Sequence, residues 1–155
     1  MTRKEALERY KAAKSAEDLR ALCAGDLFFL LVFGMKRGDI NRDWLYERCR
    51  EVQREPDGHL DLWSREHYKS TIITVGLTIQ NILNNPELTV GIFSHTRPIA
   101  KAFLRQIKRE FETNRLLQEL FPHICPPAKG ETRTWSEDGG IVVRRSTNPK
   151  ENTIE

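Results

Sequence analysis

One stretch near the middle of the chain is apolar on nearly every side of the helix that its spacing predicts. Its large apolar residues are Ile72, Ile73, Val75, Ile79, Ile82 and Leu83. A helix without a polar face is not stable on a protein surface, so the rest of the chain has to enclose it. Asn84, Asn85 and Pro86 end the pattern. We therefore predict a helix that is buried in an α/β core.

Apolar segments on both sides of this helix predict strands. Residues 59–63 alternate weakly between apolar and polar side chains, and residues 88–93 form a compact run typical of a strand. Pro98 then stands where a first helical turn accepts proline, ahead of apolar residues at four-residue spacing up to residue 111. The order strand, helix, strand, helix favours a parallel sheet with right-handed crossovers. A β-hairpin or two short strands are predicted within residues 132–143.

The first third of the chain predicts helices only. Ser15, with Asp18 three residues later, forms a capping-box pattern at the start of a short helix, and Gly25 can end that helix. Asp26 can cap the apolar segment that follows.

A further amphipathic helix is predicted from Asn41, a capping residue, up to Glu55. The turn at residues 56–58 then indicates a boundary, because proline and glycine interrupt the helical pattern there. We predict a helical lobe at residues 1–57 and a second domain at residues 58–155.

Composition excludes several classes of protein. The formal net charge of +3 is too small to identify a nucleic-acid binder by itself. The longest apolar run, residues 27–33, is about a third of the length that crosses a bilayer, so no membrane association is expected. Cys23, Cys49 and Cys125 are odd in number and widely spaced, which indicates neither a disulfide framework nor a zinc site. A reducing, cytoplasmic setting fits best.

The loop before the buried helix carries residues that suit phosphate binding. In a phosphate-binding loop, backbone N–H groups surround the phosphates, a lysine reaches the β- and γ-phosphates, and the next hydroxyl helps to hold Mg²⁺. Lys69, Ser70 and Thr71 stand at those positions. Trp63 and Tyr68 occupy the places of the two usual glycines. A bulky residue adopts positive φ less readily than glycine does, and we expect Tyr68 to pack rather than to cover a nucleotide.

The segment from Leu62 to Thr74 resembles the deviant Walker A motif of phage terminase large subunits, the motors that package viral DNA. That family often lacks the first glycine and carries an arginine four residues before the lysine, where Arg65 stands. The resemblance extends to residues 90–96, to the helix predicted from Ala100 to Glu112, and to residues 114–117 and 121–122. It covers roughly residues 26–146.

The resemblance implies the N-terminal part of an ATPase domain. The implied fold is α/β of the P-loop NTPase type (RecA/ASCE-like), a parallel sheet flanked by helices with an N-terminal helical lobe, in an incomplete domain. The implied cofactors are ATP and Mg²⁺, with Arg65 and Lys69 as catalytic residues and Ser70 on the metal. The implied ATP-binding residues are Ser64, Arg65, Glu66, His67, Tyr68, Lys69, Ser70 and Thr71.

Parts of the expected machinery are missing. Hydrolysis needs an acidic pair after an apolar strand, yet residues 141–143 are followed by Arg144 and Arg145. The family's C-terminal nuclease is not found either. We therefore expect a truncated ATP hydrolase that does not package DNA unaided. In the full protein the resemblance implies double-stranded DNA, the portal protein and the small terminase subunit as partners, self-association in a ring, and a place in the host cytoplasm, transiently at the procapsid portal.

Several alternatives stay open at this stage. Lys101, Arg105 and Lys108 share one face of the helix after Pro98 and could contact DNA phosphates, although a solvated face is the favoured interpretation. Glu66 and His67 could act as an acid/base pair. A non-catalytic docking or DNA-binding module with a vestigial loop is the main functional alternative. A helicase or small kinase would share the loop but should have the normal glycines.

Overall fold

The computed structural model describes residues 1–55, 58, 60–126, 133–147 and 151–154, and most of its elements are helices. The chain divides into two compact units, Met1–Gln80 and Asn81–Glu155. The domain boundary that we predicted after residue 57 stays a prediction.

The first unit consists of helices joined by short connections. Its elements are α1 (Arg3–Ala12), α2 (Ala16–Gly25), α3 (Leu27–Phe29), a first π-helix (Leu30–Gly34), a 3-10 helix (Gly38–Ile40), α4 (Asp43–Arg54) and a second π-helix (Ser70–Leu77). The second π-helix continues into α5 (Thr78–Asn84), within which the division between the two units falls.

Local capping signals explain where the early helices begin. Ser15 and Asp18 form the predicted capping box, and α2 ends at Gly25 as predicted. The Asp26 side chain accepts a hydrogen bond from the backbone N–H of Phe29, which confirms its predicted cap. These interactions involve residues three positions apart, so the sequence alone specifies them.

The start of α4 differs from the prediction. The residue before α4 is Arg42, whose side chain makes no capping hydrogen bond. The Asn41 side chain instead accepts a hydrogen bond from the Arg3 guanidinium at 2.7 Å. The Asn41 side-chain oxygen therefore bonds to a residue 38 positions away in the sequence and does not cap the helix.

The apolar run at residues 27–33 lies in the core of the first unit, as predicted. Residues 27–32 are buried, and Phe33 is 41% exposed. The π-helix begins within this run, with the Met35 N–H donating to the Leu30 carbonyl at 2.7 Å. None of the helices in the described ranges has both the length and the apolar character needed to cross a bilayer.

The second π-helix is buried, as its apolar pattern predicts, but helices surround it. Ile72 and Val75 in this helix, and Ile79 in α5 directly after it, are at most 3% exposed. The second π-helix contacts α3, α4 and the first π-helix. Gly76 allows the two π-helices to approach closely, because a side chain there would meet Leu31.

The second unit combines two helices with a short hairpin. Helix α6 (Arg97–Thr113) has Pro98 in its first turn, as predicted, and is followed by α7 (Arg115–Leu120). Strands β1 (Trp135–Ser136) and β2 (Gly140–Ile141) pair antiparallel, with Trp135 opposite Ile141, which confirms the predicted hairpin.

The C-terminal segment of this unit is held by buried polar contacts. Ile154 forms isolated bridges to Val90, in parallel, and to Ile141, antiparallel. The Arg145 side chain is buried and donates hydrogen bonds to the carbonyl oxygens of Pro86 and Glu151.

The predicted P-loop NTPase-type fold with a parallel sheet is wrong. Within the described residues the chain forms only the two-stranded antiparallel sheet, and Val90–Ile154 is the only parallel bridge. Residues 60–63 form no ladder, and Leu60 and Leu62 are more than 80% exposed. The sheet was predicted from apolar runs on both sides of a helix that is apolar on nearly every side. Such a pattern requires apolar surroundings, and in this chain helices provide them.

Candidate functional site

The loop at residues 64–71 has an unusual backbone. Among the non-glycine residues of the described chain, positive φ occurs only at Lys36 (57°), Glu66 (64°) and Tyr68 (64°), so two of the three lie in this loop. His67 between them does not have positive φ. Alternation of left-handed with ordinary conformations turns successive N–H groups toward one side and forms a concave anion-binding nest. Tyr68 therefore adopts the conformation that glycine would supply.

This loop lines a surface pocket of about 340 Å³, formed by residues 63–71. All eight predicted ATP-binding residues lie in it, which follows in part from their being consecutive in sequence. Lys69 stands directly before the second π-helix and is half-buried, whereas Arg65 is exposed. Within the described part of the chain, neither cation forms an ion pair with a carboxylate. Both positive charges are thus available for an anion.

Two side chains of α4 contact aromatic residues of the segment at residues 63–71. The Trp44 and His67 rings lie 6.0 Å apart between centroids, and the Arg48 guanidinium lies 5.6 Å from the Trp63 ring centroid. Trp44 and Arg48 are four residues apart on α4, so they share one face of that helix. Each contact brings the loop against α4.

Hydrogen bonds establish the tautomer of His67 and help to keep Asp39 ionised. The His67 Nδ1 atom lies 2.7 Å from the Arg65 carbonyl oxygen, so Nδ1 carries the proton of that bond. Asp39, in the 3-10 helix beside the loop, accepts two hydrogen bonds from the Arg37 guanidinium at 2.8 and 3.0 Å. The pKa of Asp39 is lowered chiefly by the Arg37 guanidinium and to a smaller extent by Tyr68, so Asp39 is a carboxylate at neutral pH.

A magnesium ion bound at this loop would take most of its oxygen ligands from the bound phosphates and from water. Ser70 contributes one hydroxyl and is half-buried. No group of three or more His, Cys, Asp or Glu side chains that could hold a metal occurs in the described ranges. Mg²⁺ is commonly held by substrate phosphates, waters and one or two protein oxygens, and Ser70 fits that arrangement.

The alternative acid/base pair gains no direct support from the geometry. The His67 ring is engaged by the Arg65 carbonyl and packs near Trp44, and Glu66 is exposed. No hydrogen bond joins Glu66 to His67 within the described residues. A role for this pair stays a prediction.

The predicted DNA-contacting residues all lie on α6 and all face carboxylates. Lys101 pairs with Asp138, Arg105 donates two hydrogen bonds to Glu137 at 2.7 and 2.8 Å, and Lys108 lies 2.7 Å from Glu112. The hydrogen bond from Arg105 lowers the pKa of Glu137, and that from Lys101 lowers the pKa of Asp138. DNA contact by these cations stays a prediction, and it would have to displace these partners.

Sequence reasoning missed the two residues that contact Trp63 and His67, namely Trp44 and Arg48. Trp44 was the available signal, because a tryptophan on the polar side of an amphipathic helix needs a contact outside its own helix. Trp44 is still 41% exposed, so it has surface left for a ligand or for solvent. No protein-family model, curated protein or solved structure matches this chain.

Proposed function

We propose that the loop at residues 64–71 binds the phosphate groups of ATP with Mg²⁺, and that the chain serves as part of a terminase motor that packages viral double-stranded DNA. The nucleotide part of this proposal is supported by the loop geometry. The motor part is supported by the sequence resemblance of residues 62–74 to terminase Walker A segments.

The observation that carries the nucleotide proposal is the pair of positive φ angles at Glu66 and Tyr68. Residues other than glycine adopt that conformation at a cost of about 1–2 kcal/mol each, and such costs are concentrated at ligand-binding sites. Here they lie two positions apart, before the start of a helix and directly before Lys69, which forms no ion pair within the described residues. This combination suits an anion better than any other ligand.

Each polar group of the loop has a role in this proposal. Lys69 would contact the β- and γ-phosphates, and Arg65 would contact the γ-phosphate from the same chain. Ser70 would supply one oxygen to Mg²⁺, and Thr71 would support the loop. When bound, the metal would neutralise charge on the phosphates. We expect binding without turnover, because the acidic pair that orients the attacking water was not found in the sequence.

The larger role follows from the resemblance alone. In a motor of this kind, nucleotide turnover would drive DNA into a procapsid, with the portal protein and the small terminase subunit as partners and several copies in a ring. The setting would be the host cytoplasm and the procapsid portal.

The test is the melting temperature of the chain with and without Mg·ATP. A ligand present at ten times its Kd stabilises the folded state by about 1.4 kcal/mol, which is about 3 to 6 °C for a chain of this size. We expect this shift in the wild type and its loss in Lys69→Ala. The matched control is Lys4→Ala, an exposed lysine on α1, which should keep the wild-type shift.

A comparison of nucleotides with different numbers of phosphates makes the test more specific. ATP should shift the melting temperature more than AMP, since the loop would contact the terminal phosphates. Equal shifts with ATP and AMP would locate binding elsewhere. No shift with any nucleotide would reject the proposal and favour a docking module, for which the exposed Leu60 and Leu62 beside the loop are candidate contacts.

A further inference from the structure

The extended segment at residues 88–93, which we call the edge segment, pairs with its own chain on one side only. The Val90 N–H donates to the Thr153 carbonyl at 2.8 Å, and Val90 forms its parallel bridge with Ile154. Ile154 also bridges Ile141 of β2, so it lies between Val90 and the hairpin. The edge segment therefore lies at the outer edge of this small group of paired extended segments.

The backbone groups on the other side of the edge segment are unpaired in the described part of the chain. Successive residues of an extended chain direct their N–H and C=O groups to opposite sides, so residues 89, 91 and 93 direct theirs away from Ile154. Within the described residues, none of these three forms a backbone–backbone hydrogen bond. An exposed edge of this kind is a template for pairing with another strand.

The side chains of the edge segment do not block such pairing. Residues 88–93 contain no charged residue and no proline, the features that protect many exposed edges. Phe93 is 96% exposed, and its ring lies over Gly91, because a β-carbon added at Gly91 would stand 2.8 Å from the Phe93 Cε2 atom. Residues 91 and 93 thus share one face, as alternate residues of a strand do.

The charges at the two ends of the edge segment favour a second copy of the same chain as the partner. Glu87 precedes the segment and Arg97 follows it. Antiparallel pairing of two copies brings the acidic end of each near the basic end of the other, whereas parallel pairing would bring like charges together. Since residues 89, 91 and 93 carry the unpaired groups, the symmetric register places Gly91 opposite Gly91 and Thr89 opposite Phe93.

We propose that the protein forms a two-fold homodimer in which residues 88–93 of two copies pair as antiparallel strands centred on Gly91. This contact closes with two copies, so it differs from the head-to-tail contacts of a ring, and the inference does not rest on the proposed function. Six residues of a strand bury less than a standard interface of about 800 Å² per partner, so the dimer is weak, with an expected Kd of about 10–100 µM.

The experiment measures the oligomeric state of the whole chain by sedimentation velocity from about 1 to about 300 µM protein. We expect a monomer at the lowest concentration and mostly dimer at the highest. Gly91→Lys and Gly91→Glu each place like charges opposite each other, so each variant alone should dimerise at least about tenfold more weakly. An equal mixture of the two variants should associate again, because a lysine then faces a glutamate.

Two controls accompany these variants. The exposed Phe93 ring can turn aside for a side chain at position 91, and melting temperatures establish that both variants are folded. Leu62→Lys adds the same charge at an exposed apolar residue of the first unit, and it should leave the dimer unchanged.

Disulfide trapping tests the register. In a hydrogen-bonded antiparallel pair the two Cα atoms lie about 5.5 Å apart, which is within the range of a disulfide. Oxidation with diamide should therefore link two copies of Gly91→Cys covalently. In Ser94→Cys the two cysteines would lie about 20 Å apart along the strands, so no link should form. The three native cysteines are buried and should not interfere.

Three results would overturn the inference. A monomer at every concentration would show that the edge segment does not pair with a second copy. A dimer that both Gly91 variants leave unchanged, or that Leu62→Lys disrupts, would place the contact elsewhere on the chain. Equal trapping of Gly91→Cys and Ser94→Cys would exclude the register centred on Gly91.

Discussion

Gly76 lies so close to Leu31 that a β-carbon added at position 76 would stand 2.7 Å from the Leu31 Cδ2 atom and 3.1 Å from the Thr71 carbonyl oxygen. Leu31 is fully buried, so its side chain cannot move aside into solvent. This contact joins the two π-helices of the first unit, and the second of them begins at the candidate phosphate loop.

We predict that Gly76→Ala destabilises the protein by about 1–3 kcal/mol, the usual cost of an extra methyl group in a filled core. The better helix propensity of alanine would offset at most about 1 kcal/mol of this. Urea unfolding measures the difference. Gly25→Ala is the matched control, because a β-carbon there would meet nothing within 4 Å. Equal stability of the two variants would contradict the close contact.

The second prediction concerns Arg145, whose side chain is buried. Its side chain has no exposed surface, and it donates to the Pro86 and Glu151 carbonyls and to the Thr89 hydroxyl at 3.0 to 3.2 Å, with further bonds to the carbonyls of Glu87 and Leu88. A lysine ammonium cannot reproduce this planar spread of donors.

We therefore expect Arg145→Lys to cost about 2–4 kcal/mol of unfolding free energy, because several buried acceptors would lose their donors. Arg144→Lys, at an exposed neighbouring position, should change stability by no more than about 0.5 kcal/mol. Chemical denaturation of both variants makes the comparison. A loss in Arg145→Lys no greater than that in Arg144→Lys would show that the buried hydrogen bonds contribute little.

The sequence predicted the features that depend on near neighbours. The capping box of Ser15 and Asp18, the proline in the first turn of α6 and the hairpin were all confirmed, since each depends on residues close together in the chain. The packing partner of the second π-helix was not predictable in the same way. A helix that is apolar on all sides is predicted to be buried, but its sequence does not indicate whether a sheet or other helices surround it.

The same distinction applies to the candidate site, of which the sequence predicted some features and not others. Its residues could be found from the order Lys-Ser-Thr before an apolar helix, but the conformation of Tyr68 could not. Glycine adopts that conformation readily and tyrosine does not, so the local sequence gives no reason to expect it at residue 68. Trp44 and Arg48 become neighbours of His67 and Trp63 only when α4 packs against the second π-helix.

The three cysteines should be unreactive in the folded protein. Burial raises the pKa of the Cys23 and Cys49 thiols to about 12, and it also raises the pKa of Cys125. The thiolate is the reactive form, so at pH 8 labelling of Cys23 and Cys49 by a disulfide reagent should be about a hundredfold slower or more than for free cysteine, and labelling of Cys125 should also be slower. In guanidinium chloride all three should react at the free rate. Fast labelling of one thiol in the native state would mean that its segment opens readily.

Salt dependence of DNA binding tests the basic face of α6. Lys101 and Arg105 already have carboxylate partners, Asp138 and Glu137, so the wild type should bind double-stranded DNA weakly. The double variant Glu137→Gln/Asp138→Asn releases Lys101 and Arg105, and also Arg97, which lies 3.6 Å from Asp138. Its affinity should rise, and the slope of log K against log salt should steepen by up to about 2.7 if each of the three cations then neutralises one phosphate.

The measurement is fluorescence anisotropy with a labelled duplex between 50 and 200 mM salt, the range over which such contacts lose most of their affinity. A control of equal charge is the pair Glu17→Gln/Glu119→Gln, which neutralises two exposed carboxylates on α2 and α7. If release of Lys101 and Arg105 matters, only the first variant steepens the slope. An equal change in both variants would assign the effect to net charge, and the face of α6 would then be a solvated surface held by its own ion pairs.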